Sequence, residues 1–234
     1  MPGVLTDVST RRVLVTEYVE SEGFGVMRTH DEAARDRYAE IIHRFFHDTA
    51  GRLGLALGDP HPGNVLLARD GRLTFIDFGM LRRLPPDYLA REGDVYRSLR
   101  VDDAGALRRI MDELGYLPPP WRHPDELLFA YMRTAAAWMI DDPQPRRLYG
   151  TTGYEIADAI FALPSGWLDM VKSFTLPSEA VLLRRMENVV FSVCCDLRAS
   201  ADWRALADEL LAREEPRTAL GREHAEWVAG GRGR

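Results

Sequence analysis

Two short polar segments, GDPHPGN at residues 58–64 and DFG at 77–79, fix most of what this chain can fold into. Asp59, Asn64 and Asp77 stand five and thirteen residues apart. The second gap holds two apolar runs, Val65 to Ala68 and Arg72 to Ile76, around Arg69, Asp70 and Gly71. Asp-Gly between such runs predicts a tight hairpin, because glycine accepts the positive φ the turn needs. A hairpin there returns the chain to its start and brings Asp59, Asn64 and Asp77 to one end.

The flanks predict one strand, a helix, the hairpin, then a helical bundle. Arg12 to Tyr18 is short and β-branched and reads as a buried strand, with a polar break over Glu20 to Gly25. From Asp31 to Leu57 the residues Tyr38, Ile41, Ile42, Phe45, Phe46, Leu53 and Leu57 form the stripe of a long amphipathic helix. The segment after Asp77 reads as helical throughout. Asp102 or Asp103 caps a helix through Leu114 that stops at Gly115, before Pro118, Pro119 and Pro120. Further helices are expected from Pro124 to Ile140, Tyr154 to Leu163, Ser178 to Leu197 and Asp202 to Arg213. The helix from Ser178 has Leu182, Met186, Val189, Val193 and Leu197 on its apolar face. Residues 214–234, ending GGRGR, read as a mobile tail. There is no internal repeat.

Composition removes several classes. A 234-residue chain that is 46% hydrophobic and 28% charged is globular, and a net charge of -6 argues against nucleic acid as a partner. Cys194 and Cys195 are neighbours, which suits neither a low-strain disulfide nor a metal site and fits a reducing cytoplasm. No run approaches the roughly 20 apolar residues of a membrane span, and no signal peptide is evident. Of 30 basic residues only Lys172 is lysine, so any mechanism that needs a lysine must use it or do without. Trp121, Trp138, Cys194 and Cys195 read as packing residues, Lys172 as a solvated charge, and Arg82 and Arg83 as solvated or phosphate-facing.

The residue types in the loop suit phosphoryl transfer. Asn64 and Asp77 offer the hard oxygen ligands that magnesium prefers, and Asp59 can orient an attacking hydroxyl and accept its proton. Pro62 and Gly63 fix the path of the loop, with Phe78 and Gly79 doing the same after Asp77. His61 either orients Asp59 or braces the loop with a hydrogen bond. The spacing is that of a protein-kinase-like catalytic loop followed by DFG.

The string LGDPHPGNVLLARDGRLTFIDFGMLRRLPP resembles the catalytic core of the UbiB family of atypical kinases, also called AarF-domain or ADCK-type kinases. STRRVLVTEYVE resembles that family's last N-lobe strand and hinge, and the helices to about Leu211 its C-lobe. The resemblance implies an α+β, mainly α-helical chain: a kinase-like C-lobe with a short β-hairpin and a residual hinge strand, the N-lobe missing. Residues 1–20 would be the strand and hinge, 21–213 the C-lobe and 214–234 the tail. It further implies ATP and magnesium. Backbone groups of Glu17, Tyr18 and Val19 would meet the adenine beside Thr16, and Leu66 would floor the base. Support of isoprenoid-quinone or lipid metabolism and peripheral association with a membrane or lipid follow from the same resemblance.

The chain departs from the family in two places. Leu57 and Gly58 precede Asp59 where His-Ala is usual, and only eleven residues precede Arg12, too few for a nucleotide loop, a phosphate-pairing lysine strand and a Lys-x-Gly-Gln motif. Without neighbouring strands, Val13 to Val15 would present an apolar edge needing an N-lobe-bearing chain or self-association to cover it. Two alternatives stand beside the ATP-dependent kinase or ATPase: a small-molecule phosphotransferase resembling aminoglycoside or choline kinases, and a catalytically idle scaffold.

Overall fold

The computed structural model describes residues 1–230. A 3-10 turn at Thr6–Val8 precedes β1 (Ser21–Gly23), α1 (Phe24–Met27), α2 (Glu32–Leu53) and β2 (Leu55–Leu57). After the 3-10 turn Pro62–Asn64 come β3 (Val65–Ala68), β4 (Leu73–Phe75) and β5 (Leu81–Arg83). The rest is α3 (Pro86–Arg100), α4 (Ala104–Glu113), α5 (Asp125–Ala135), α6 (Ala137–Ile140), β6 (Arg146–Arg147), α7 (Thr152–Phe161), α8 (Trp167–Ser173), α9 (Ser178–Asp196), β7 (Ser200–Ala201), α10 (Trp203–Leu210) and α11 (Ala219–Ala229). The chain is thus mainly α-helical with small antiparallel sheets: β1-β3-β4, β2-β5 and β6-β7.

The long helix α2 begins where the Asp31 carboxylate accepts from the Ala34 amide at 2.8 Å. It buries Tyr38, Ile42, Phe46 and Ala50, one residue per turn. It ends at Leu53, four residues short of the expected Leu57, because Gly54 takes φ +66° and donates to the Ala50 carbonyl at 3.0 Å. The freed residues Leu55–Leu57 become β2 and pair with β5, so the chain after Asp77 is not helical throughout. Helix α9 crosses α2 and buries Leu183, Met186, Val190 and Val193, with Leu197 just beyond it. Leu182 and Val189, expected on that face, are partly buried at its flank, since α9 serves two neighbours at once.

One core joins α2, α9, α10 and the β3-β4 hairpin around Trp203, with Cys194 and Cys195 buried in it as free thiols. A second joins α3, α4 and α5 around Leu107 and Leu128. Asp103 caps α4 through the Ala106 amide, and Gly115 stops the chain at φ +83°. Trp121 packs against the second core and Trp138 against the first. Lys172 is exposed on α8.

The strand expected over Arg12 to Tyr18 does not form. Residues 4–16 fold back on themselves through isolated bridges at Val4 with Thr16 and Thr10 with Val13. Val13 and Leu14 are 55% and 71% exposed. A β-branched run becomes a buried strand only where a partner strand and a covering face exist, and here the outer strand of the three-stranded sheet is β1, three residues past Tyr18.

Residues 214–230, expected as tail, contain α11, whose N-cap Thr218 is bonded to Arg44 of α2. The final four residues of that expected tail lie outside the described residues. No helix among the described residues is long and apolar enough to cross a membrane.

Candidate phosphoryl-transfer site

Two ladders bring the polar segments together. The pairing of β2 with β5 puts Leu57 opposite Leu81 and is extended by the Gly58 amide, which donates to the Met80 carbonyl at 2.8 Å. The pairing of β3 with β4 puts Val65 opposite Phe75 and is extended in the other direction by the Ile76 amide, which donates to the Asn64 carbonyl at 3.2 Å. Between these two clamps residues 59–63 and 77–79 leave the ladders side by side. Asp59, Asn64 and Asp77 therefore converge through backbone pairing, and Gly71 at φ +83° makes the returning turn possible.

Each of the three side chains has one group committed to the protein. Asn64 Nδ2 donates to the Asp59 carbonyl at 3.4 Å, a long bond. Asp77 Oδ1 accepts from the Gly79 amide at 2.8 Å. Asp59 Oδ1 accepts from Arg185 Nη2 at 3.3 Å. Asn64 Oδ1 and the Oδ2 atoms of Asp59 and Asp77 make no hydrogen bond among the described residues.

The remaining loop residues hold the backbone. His61 Nδ1 accepts from the Gly63 amide at 3.0 Å and caps the 3-10 turn Pro62–Asn64, while the Asn64 amide donates to the His61 carbonyl at 2.8 Å. The His61 ring is thus turned into its own loop. A side chain at Gly63 would meet that ring at 3.0 Å. Phe78 is partly buried against the first core near Phe45, which anchors the DFG segment while Asp77 and Gly79 stay exposed.

Of the expected nucleotide residues, Thr16 and Glu17 are engaged with the first residues of the chain. Thr16 bridges to Val4, and Glu17 exchanges bonds with Gly3, its amide donating to the Gly3 carbonyl and its carboxylate accepting from the Gly3 amide, each at 2.9 Å. Tyr18 is 91% exposed and Val19 partly buried. Leu66 is half-buried opposite Gly23 of β1, where an added Cβ would meet nothing within 4 Å, so the surface above Leu66 is open. Since β1 and β3 are antiparallel and Glu20 sits by Arg69, Val19 lies some four residues along the strand from Gly23, roughly 13 Å at strand spacing.

Residues 1–101 match the model of the ABC1 atypical kinase-like domain, a span that includes the loop, the hairpin and DFG. These residues carry a UbiB/AarF-type atypical kinase-like domain. It is 33% identical over 123 residues to a chloroplastic aarF domain-containing protein kinase of Arabidopsis thaliana, covering 51% of this chain and 16% of the relative. It is 26% identical over 147 residues to AarF domain-containing kinase 1 of Drosophila melanogaster, covering 59% and 27%. The chain therefore spans a minor part of these relatives. The structure of Rv3197 from Mycobacterium tuberculosis, solved in complex with erythromycin, superposes with a TM-score of 0.71 at 21% identity, covering 90% of this chain and 51% of that one. That likeness shows a shared kinase-like fold.

Within this UbiB/AarF core, the Gly58 departure has a structural reason. A Cβ there would stand 2.8 Å from Leu182 Cδ2 and 3.1 Å from Met80 Cγ, so glycine lets α9 pack directly on the loop. Arg185, one turn further along α9, was not evident from sequence, because it meets Asp59 across 126 residues. Arg82 donates from Nη2 to Ser178 and Glu179 while its side chain stays 38% accessible, and Arg83 is exposed. Among the described residues no three His, Cys, Asp or Glu side chains group to hold a metal. A cleft of about 530 Å³ lined by Arg91, Arg97, Arg100 and Asp208 opens elsewhere, between α3, α4 and the end of α10.

Proposed function

We propose that this chain carries the magnesium-binding, proton-accepting side of an ATP-dependent phosphoryl-transfer site of the UbiB/AarF type. The observation that carries the reading is the pair of ladders flanking residues 59–63 and 77–79, which sets Asp59, Asn64 and Asp77 together with one uncommitted oxygen each. The donor set fits the ion. One carboxylate and one amide carbonyl are the hard, sparse ligands under which magnesium keeps waters and phosphate oxygens. Asn64 Oδ1 and Asp77 Oδ2 would hold it, and when bound it would neutralise phosphate charge. Asp59 Oδ2 orients the attacking hydroxyl or water and takes its proton as the oxygen–phosphorus bond forms and the bond to the nucleotide diphosphate breaks.

Leu66 and the open surface opposite Gly23 support an adenine floor, reached by backbone groups of Glu17 to Val19 once they are free of their present partners. The family likeness extends the proposal to a lipid or isoprenoid-quinone setting at a membrane surface. Magnesium-dependent ATP binding and hydrolysis by the chain, compared with Asp77→Asn and Asp59→Asn, test the core of it. Asp77→Asn is expected to abolish the magnesium dependence of nucleotide binding. Asp59→Asn is expected to keep binding and to lower turnover by about 10²-fold or more. Equal turnover in all three proteins would overturn the reading.

A further inference from the structure

Helix α9 carries two consecutive arginines that serve different neighbours. Arg184 lies beneath it, ion-paired with Glu92 of α3 and, at 2.7 Å, with Glu187. Arg185 reaches the loop instead: Nε donates to the Gly58 carbonyl at 2.8 Å, and Nη2 donates to Asp59 Oδ1 at 3.3 Å. One planar guanidinium thus grips both the backbone just before Asp59 and the Asp59 carboxylate. Leu182, three residues earlier on the same face of α9, packs against Gly58, so that helix and loop meet over one patch.

We infer that Arg185 is a positioning residue for Asp59, an assignment that rests on the phosphoryl-transfer reading. The pair is half-exposed, with Arg185 and Asp59 side chains 50% and 36% accessible, and exposed ion pairs contribute little to stability. Geometry is what such a contact supplies. The bond to the Gly58 carbonyl fixes the loop where Asp59 leaves it, and the bond to Oδ1 sets the carboxylate's rotation about its own side chain. Oδ2 is left without a hydrogen bond among the described residues and so free to meet an attacking hydroxyl. A catalytic base a fraction of an ångström out of place loses most of its effect, so a contact of small energy can govern rate. Lysine could not replace it fully, because an ammonium on a flexible stem lacks the fork that holds two acceptors at fixed spacing.

The test uses the 234-residue chain and two substitutions, Arg185→Ala and Arg185→Lys. Hydrogen exchange is followed at the amides between Gly58 and Asn64, and magnesium-ATP turnover is measured in parallel. Arg185→Ala is expected to speed exchange in that segment by about tenfold or more, while exchange in α4 stays unchanged. It is expected to lower kcat by about 10- to 100-fold with KM for magnesium-ATP within about twofold, and Arg185→Lys should recover part of both. Unchanged loop exchange, or a rate loss that appears wholly in KM, would overturn the assignment. If the unsubstituted chain shows no turnover, the phosphoryl-transfer reading fails by itself, and the exchange comparison still decides whether Arg185 holds the loop.

Discussion

The ring of Phe45, on α2, stacks face to face on that of Phe75, on β4, with centroids 3.8 Å apart and planes 4° from parallel. Phe46 stands nearly perpendicular to both rings, its centroid 5.2 Å from that of Phe45 and 5.7 Å from that of Phe75. This aromatic triplet ties the long helix to the hairpin that carries Asn64 at its base, and the register Val65 opposite Phe75 passes the constraint to the loop. Phe75→Ala is expected to cost about 3–5 kcal/mol, since Phe75 is 6% exposed and its removal leaves a cavity beside the Phe45–Phe46 pair. Urea unfolding checks it. A loss below about 1 kcal/mol would mean that the hairpin is held by its ladder alone.

Gly93, on α3, faces the Leu211 carbonyl so closely that a Cβ would stand 2.5 Å from that oxygen. The obstacle is backbone, which cannot swing aside as a side-chain tip can. Gly93→Ala should therefore destabilise by about 1–3 kcal/mol despite alanine's better helix propensity. A raised Tm for Gly93→Ala would show that α3 and the end of α10 slide apart freely.

Stability should depend on pH through two groups of opposite sign. Burial pushes the Glu187 carboxyl up from 4.5 to about 7, against the pull of Arg184. The folded state then holds a proton that the unfolded chain releases, so this contribution falls as pH rises from 4.5 to 7. Burial lowers His47 from 6.5 to about 4 and also holds its stacked neighbour His43 well below 6.5. The histidine contribution is complete above pH 6.5 and is lost as pH falls toward 4. The two slopes oppose each other between 4.5 and 6.5. Glu187→Gln should expose a stability that climbs steeply with pH across that range, and His47→Gln should shift the balance toward a falling one. Urea midpoints from pH 4.5 to 8 for the three proteins decide it, and parallel curves would refute the assignment.

What the sequence made legible is local. Asp70-Gly71 announces its turn, Asp103 and Gly115 announce the ends of α4, and the spacing of Asp59, Asn64 and Asp77 survives because the intervening hairpin has little freedom in register. The helix end at Gly54 was also written locally, but the apolar stripe continuing to Leu57 concealed it, since Leu55–Leu57 alternates into β2. Arg12 to Tyr18 misled because strand formation depends on a partner, which local composition does not report. Arg185 carries no local signal at all. One arginine among many on a polar helix face acquires meaning only when α9 packs on Gly58.

The docking of α11 depends on Arg44, whose guanidinium is nearly buried yet fully engaged. Its Nε donates to Glu40 at 2.8 Å, and Nη1 and Nη2 donate to the two Glu209 oxygens at 2.6 and 2.9 Å. Nη2 also donates to Thr218 Oγ1 at 2.6 Å, and that hydroxyl donates to Glu40 and accepts the Gly221 amide at the start of α11. Gly221 has no side chain because a Cβ would meet Arg44 Nη2 at 2.6 Å. Removing the cation leaves two mostly buried carboxylates facing each other, a loss of about 3–5 kcal/mol for Arg44→Ala. Thr218→Val removes the cap and one link but keeps the cation between its two carboxylates, so about 1–2 kcal/mol is expected. Exchange in residues 219–229 should rise in both variants, whereas the midpoint of global unfolding should fall far more for Arg44→Ala. If α11 kept its protection in Arg44→Ala, the helix would be held by its apolar contacts and the buried network would be incidental to it.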